Sequence, residues 1–229
     1  MVIIKKISPL IIFLFLLLIF AFTILVSDRL YLWVSLLIMA LTFGLFFLKF
    51  ERSTLNARAI VFISVLSGIA AISRVPFAAI PGVQPTSFVI IVSALVLGKE
   101  SGFMIGAVAA LVSNMFLGQG PWTPWQMFAW GMMGYFFGAL KGTKWIQSKA
   151  GLLISGFLWG FLFGWIMNLW FILAFYYEEL TLKTFLLYFT GSALFDFYHA
   201  ISNVIFLALF GTTWIKIITR FQRKWGILN

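Results

Sequence analysis

The residues with the most chemical capacity are few, and they stand in apolar surroundings. Asp196 and His199 lie three apart, which puts them on one face if the segment is helical. A carboxylate at the centre of a membrane helix costs about 2.5–3.5 kcal/mol on insertion scales, so this pair must be satisfied. Three roles are open to it. It can be a clamp, with the two side chains bonded to each other or to Arg74; it can touch a ligand; or it can relay protons. Two asparagines, Asn114 and Asn168, close stripes of small residues. Arg74 opens a turn-rich segment, RVPFAAIPGVQP, that also supplies Phe77 and Gln84. Its charge suits a carboxylate or an anionic group on a ligand. A second segment, GQGPWTPWQ over 118–126, has two Gly, two Pro, two Trp and no charge. Pro and Gly fix compact irregular turns. Trp122, Trp125 and Gln126 therefore read as a lid over an apolar ligand, or Trp122, Trp125 and Trp130 read as an interfacial aromatic belt.

Other chemistries are excluded. His199 is the only histidine, and no nucleophile stands at a defined place relative to it, as a hydrolytic triad requires. There is no cysteine, hence no disulfide, thiol nucleophile or thiolate metal site. No HExxH, no zinc spacing and no pair of aspartates on facing spans occurs. The closest phosphate-loop lookalike, GALKGTK over 138–144, lacks the GxxxxGK spacing. An enzyme is not expected, and neither is a resident metal or cofactor.

The elements that must position these groups follow from composition. Of 229 residues, 63% are apolar, 10% charged and 19% aromatic, and the mean hydropathy is +1.09. Soluble domains are about half apolar and a quarter charged. The chain is thus an all-α, polytopic membrane bundle. A crossing takes about 20 apolar residues, and eight runs are present: 7–26, 30–48, 59–77, 86–97, 102–117, 127–140, 151–175 and 184–215. The last is too long for one plain crossing, so its start, through about Gly191, is expected at the interface or as a bent entry. The polar stretch KFERSTLNAR over 49–58 divides an N-terminal two-span hairpin (1–50) from a six-span core with a basic C-terminus (51–229).

Net charge is +10. With the N-terminus inside, thirteen of the sixteen basic residues fall on the inner side, leaving Arg29, Arg74 and Lys183 outside. That asymmetry matches the positive-inside rule, so both termini are expected in the cytoplasm of a multi-pass cell-membrane protein. The charge is accounted for by anionic lipid, with no nucleic-acid partner.

Small residues four apart let helices approach closely in lipid. Gly102, Gly106, Ala110 and Asn114 form one such stripe; Gly156, Gly160, Gly164 and Asn168 form another. Both read as packing seams within the chain. On the first core helix, Ser64 with Gly68 and Ser67 with Ala71 make two neighbouring stripes, either of which can pack inside the chain or face a partner helix.

The core resembles the substrate-binding (S) components of energy-coupling factor (ECF) vitamin transporters, over about residues 58–215. The resemblance rests on RAIVFISVLSGIAAISRV (58–75), PTSFVIIVSALVLGKESGFMIGAVAALVSNM (85–115) and GQGPWTPWQMFAWGMMGYFFGAL (118–140). Asn114 followed after three residues by GQGPWTPWQM is its most specific part, and it is similar to the cobalamin-type members. The family core has six spans, and here a hairpin precedes it. The resemblance implies a subunit that binds a vitamin in an outward pocket and docks through its first core helix on a transmembrane coupling subunit driven by two cytoplasmic ATPases. It places the coupling contact at Ser64, Ser67, Gly68 and Ala71. Cobalamin is the first expectation for the cargo; pyridoxine or a queuosine precursor is the alternative. A stand-alone secondary transporter would want a continuous polar path or a broken-helix repeat, whereas the polar groups here cluster on one side.

Overall fold

A computed structural model describes positions 37, 40, 43, 44, 57–176 and 181–227. The first expected run, most of the second, the polar seam before residue 57 and the hairpin expected over 1–50 lie outside the described residues. The elements in order are α1 (Ala57–Arg74), a 3-10 turn (Val75–Phe77), α2 (Pro85–Leu97), α3 (Lys99–Leu117), α4 (Thr123–Ala139), the single turn α5 (Lys144–Gln147), α6 (Lys149–Phe175), α7 (Leu182–Gly191) and α8 (Ala193–Trp225). There is no strand among the described residues. By length and composition Ala57–Phe77, α3, α6 and α8 can each cross a membrane, and α2 is a shorter apolar helix. The fold is an all-α membrane bundle.

Local sequence sets the boundaries. Pro85 and Pro124 sit in the first turns of α2 and α4, where a missing N–H costs no helical bond. Thr143, Ser148 and Thr181 cap α5, α6 and α7 by accepting from the backbone N–H groups of Ile146, Gly151 and Thr184. Gly98, at φ +95°, breaks α2 from α3 in a conformation that favours glycine.

All of α2 except Leu95 is buried, among α1, α3, α4 and α8. Its thirteen residues span about 20 Å, well short of a hydrocarbon core of about 30 Å. Enclosure by protein removes that mismatch. Thr86 Oγ1 donates to the Ala70 carbonyl at 2.9 Å, and Lys141 Nζ donates to the Val96 carbonyl at 2.7 Å. The second bond satisfies a carbonyl that the helix end would otherwise leave open.

Both asparagine-ended stripes are seams. A Cβ on Gly102 or Gly106 in α3 would run into the backbone of Gly134 or Trp130 in α4, and one on Gly138 into Gly98 and Lys99. A Cβ on Gly160 in α6 would run into the Ala200 backbone of α8, and one on Gly164 into the Asp196 carboxylate. The numbers rise along one helix as they fall along the other, so both pairs are antiparallel.

Two expected boundaries move. The sixth run begins four residues earlier, because Thr123, Pro124, Trp125 and Gln126 already form the first turn of α4; the expected lid segment is helical in its second half. The last run is two helices. The break falls at Ser192, in line with the interfacial or bent start expected through about Gly191; α7 has no buried residue, and α8 runs 33 residues, ending at Trp225 rather than near 215. That is about 50 Å, so the basic end of α8 outruns a hydrocarbon core.

The ends of α1, α3 and α6 and the starts of α2, α4 and α8 meet at one end of the bundle. Arg74 and Lys183 are the described cations there. The opposite end carries Arg58, Lys99, Lys141, Lys144, Lys149, Lys216, Arg220, Arg223 and Lys224.

Candidate functional site

Arg74 is the last residue of α1 and reaches into the polar end. Its Nη1 donates to Ser113 Oγ at 3.0 Å and to Asn114 Oδ1 at 2.6 Å, both near the end of α3. Asn114 is 1% exposed. Its amide nitrogen donates to Thr123 Oγ1 at 3.0 Å and to Gln126 Oε1 at 2.8 Å, on the first turn of α4. Thr123 Oγ1 donates in turn to Gln119 Oε1 at 2.9 Å. One asparagine thus ties three helix ends together. A branched apolar side chain at 114 would leave all three partners short.

The Arg74 guanidinium also lies 5.1 Å over the Trp130 ring, a cation–π contact strengthened where water is scarce. Among the described residues no carboxylate pairs with it, and its Nη2 and Nε groups make no hydrogen bond. The Trp130 ring is fully buried and packs at a tilt against Phe163, with ring centroids 4.8 Å apart. Its Nε1 donates to Ser87 Oγ at 3.1 Å, and Ser87 Oγ lies 2.8 Å from His199 Nε2. The His199 ring packs edge-on to Phe163 at 5.1 Å. A line of contacts therefore runs from Arg74 through Trp130 and Ser87 to His199.

The clamp expected between Asp196 and His199 takes a different form. His199 turns to Ser87 on α2. Asp196 Oδ2 accepts from Ser192 Oγ at 2.9 Å, and Ser192 Oγ accepts from Asn168 Nδ2 at 2.6 Å. Both residues are 1% exposed. Residues three apart on one face have found separate partners because α8 packs between α2 and α6. Asn168 and Asp196 thus share one small network, and Arg74 and Asn114 share the larger one.

The aromatic candidates divide as well. Trp125 is 4% exposed and belongs to a packed cluster with Trp170 and Leu173. Trp122 is half-buried and meets the Trp170 ring edge-on at 5.9 Å. Of the two tryptophans in this segment, Trp122 is therefore the one with a free surface. Phe77 is half-buried and edge-on to Phe206 at 5.9 Å. The backbone N–H of Gln84 donates to Ser202 Oγ at 3.1 Å, while Gln84 Oε1 and Trp170 Nε1 are buried without a partner among the described residues. Gly82 locks this loop onto α8. It has φ +73°, and a Cβ there would meet Tyr198 Cβ at 2.5 Å and the Phe195 carbonyl at 2.8 Å.

Ser87, Ser113, Thr123 and Ser192 complete these networks and were not singled out by spacing. Ser87 alone carried a signal, as a hydroxyl at the start of an otherwise apolar run.

The two stripes on α1 face different ways. Ser67 and Ala71 are 1% and 0% exposed, and Ser67 Oγ donates to the Ile63 carbonyl at 2.8 Å. They pack within the chain and offer no surface to a partner. Ser64 is exposed, and a Cβ on Gly68 would meet nothing within 4 Å. Ser64 and Gly68 lie on an outward apolar face with Val61, Val65 and Ile72.

Residues 58–210 match the family model for the ECF transporter substrate-specific component. The chain belongs to this family. The protein is thus a membrane transport subunit that binds substrate, and its family is not one of enzymes. No curated protein and no solved structure matches the chain. The matched span of this substrate-specific component opens one residue into α1 and ends inside α8. It contains every group of both polar networks and both glycine seams.

Proposed function

We propose that this substrate-specific component captures a vitamin at its polar end, with Arg74 as the anchor. One observation carries the reading. Arg74 is held by a hydroxyl, an amide and an indole face, and part of its guanidinium fork is left for an anionic or strongly accepting group of the cargo. Gln84 Oε1 and Trp170 Nε1, at the same end of the bundle, are a buried acceptor and a buried donor without a partner among the described residues, and Trp122 offers an apolar face. Cobalamin is the first candidate, on the similarity of Asn114 and GQGPWTPWQM to cobalamin-type members; pyridoxine or a queuosine precursor is second. The test is to purify the chain, release what it carries and identify it by absorbance and mass. A corrin spectrum and mass establish the first candidate, a small heteroaromatic the second, and a fully loaded protein with neither removes the vitamin reading.

The polar end faces outward and both termini face the cytoplasm in this reading, supported by nine described cations at one end against two at the other. Ser64 and Gly68 form the contact to the transmembrane coupling subunit, which two cytoplasmic ATPases drive. Their exposure and the open space at Gly68 support that role; Ser67 and Ala71 support it only by fixing α1 against α2 and α3.

A further inference from the structure

Helix α4 holds Arg74 at two levels. Gln126 acts through Asn114, and Trp130, one helical turn further on, presents its ring to the guanidinium at 5.1 Å. A cation is attracted to the face of an aromatic ring, so the tilt of the indole decides how much Arg74 gains. Two contacts fix that tilt. Phe163 of α6 packs against the Trp130 ring, with centroids 4.8 Å apart. Trp130 Nε1 donates to Ser87 Oγ of α2 at 3.1 Å. An indole N–H only donates, so the Ser87 oxygen accepts there. Its one hydroxyl proton is left for its other neighbour, His199 Nε2, at 2.8 Å. That nitrogen accepts only when the ring proton sits on Nδ1. Phe163 also braces the His199 ring, edge-on at 5.1 Å. Trp130 and Ser87 are 0% exposed and His199 is 1% exposed, whereas Arg74 is half-buried. Of these four residues, Arg74 is the one that reaches a surface.

We infer that, with Arg74 as the anchor proposed above, His199 is a positioning residue: through Ser87 it sets the indole plane on which Arg74 rests, and so the guanidinium that meets cargo. His199 itself does not touch cargo.

Two readouts test this. His199 is the only histidine, so the full chain labelled with 15N-histidine gives one pair of ring signals in detergent micelles. Nδ1 should carry the proton, and Nε2 should show the shift of a bare, hydrogen-bonded nitrogen. Ser87→Ala should move the Nε2 signal, and Trp130→Phe, one bond further along, should move it as well. A proton on Nε2, or an Nε2 signal untouched by Ser87→Ala, overturns the assignment. The second readout is binding of the compound that co-purifies with wild type, stripped and then added back. His199→Phe keeps a ring that cannot accept. It should bind about fivefold more weakly, the effect of one ordinary hydrogen bond, whereas His199→Gln returns an acceptor and should stay within about twofold of wild type. Ser87→Ala should match His199→Phe. Combined with Arg74→Gln, Ser87→Ala should add no further loss. Full affinity in His199→Phe and Ser87→Ala, with Arg74→Gln weakened, overturns the positioning role and leaves the anchor standing. A loss that persists undiminished beside Arg74→Gln also overturns it, because such a loss acts without Arg74. Full affinity in Arg74→Gln overturns the anchor, and the positioning role with it.

Discussion

Replacing Asn114 by Leu tests how the polar end is built. Leucine has the same number of side-chain heavy atoms and the same branch point, and three hydrogen bonds go: those to Arg74, Thr123 and Gln126. Side-chain hydrogen bonds inside membrane proteins average about 0.6 kcal/mol and reach about 1.7 kcal/mol. The bond to the guanidinium belongs toward the upper end, because one partner is charged. The sum is about 2–3 kcal/mol of stability. The assay is unfolding in mixed micelles by a denaturing detergent, with and without cargo. Gln126→Leu removes one of the three bonds and should cost about 1 kcal/mol. The double variant should cost less than the two single losses added, since they share a bond. Cargo affinity should fall with Asn114→Leu, because Arg74 loses its shorter tether. A stability within about 0.5 kcal/mol of wild type for Asn114→Leu would refute the reasoning.

Further outcomes follow from the packing. Gly68→Leu should fold normally and bind cargo, since nothing lies within 4 Å of its Cβ, but abolish uptake in cells; full uptake at normal expression removes the coupling assignment. Gly160→Leu should fail to assemble α6 against α8, read as loss of folded protein by size-exclusion chromatography, because the Ala200 backbone occupies the space. Trp122→Ala should weaken cargo binding by roughly tenfold with little effect on the unfolding midpoint, while Trp125→Ala should lower that midpoint. Asp196→Asn keeps an acceptor for Ser192 Oγ and removes a buried charge, so its unfolding free energy should equal or exceed that of wild type; a loss above 1 kcal/mol would show that the carboxylate charge itself is needed.

The bundle was largely legible because apolar run length and glycine spacing are local properties. Gly102 and Gly106, and Gly156, Gly160 and Gly164, repeat every four residues, and only a close helix contact needs that. The start of α4 was hidden because Gly, Pro and Trp mark a turn as readily as a first helical turn. The two α1 stripes could not be told apart from sequence. Ser64/Gly68 and Ser67/Ala71 have the same spacing, and only α2 and α3 packing on one side of α1 decides which is covered. Partner choice was the least legible. Ser87 and His199 stand 112 residues apart, and nothing local says that His199 turns to α2 while Asp196, three residues away, turns to Ser192.

The most direct measurement is the amount of cargo that co-purifies with three versions of the chain: wild type, Arg74→Gln, and Lys144→Gln at the opposite end. Wild type and Lys144→Gln should each carry about one compound per chain. Arg74→Gln should remain folded, with a full helical signal, and bind at least tenfold more weakly, the loss expected when a charged hydrogen-bond donor of about 1.5–3 kcal/mol is removed. Cargo retained by Arg74→Gln at wild-type stoichiometry and affinity would contradict binding at the polar end.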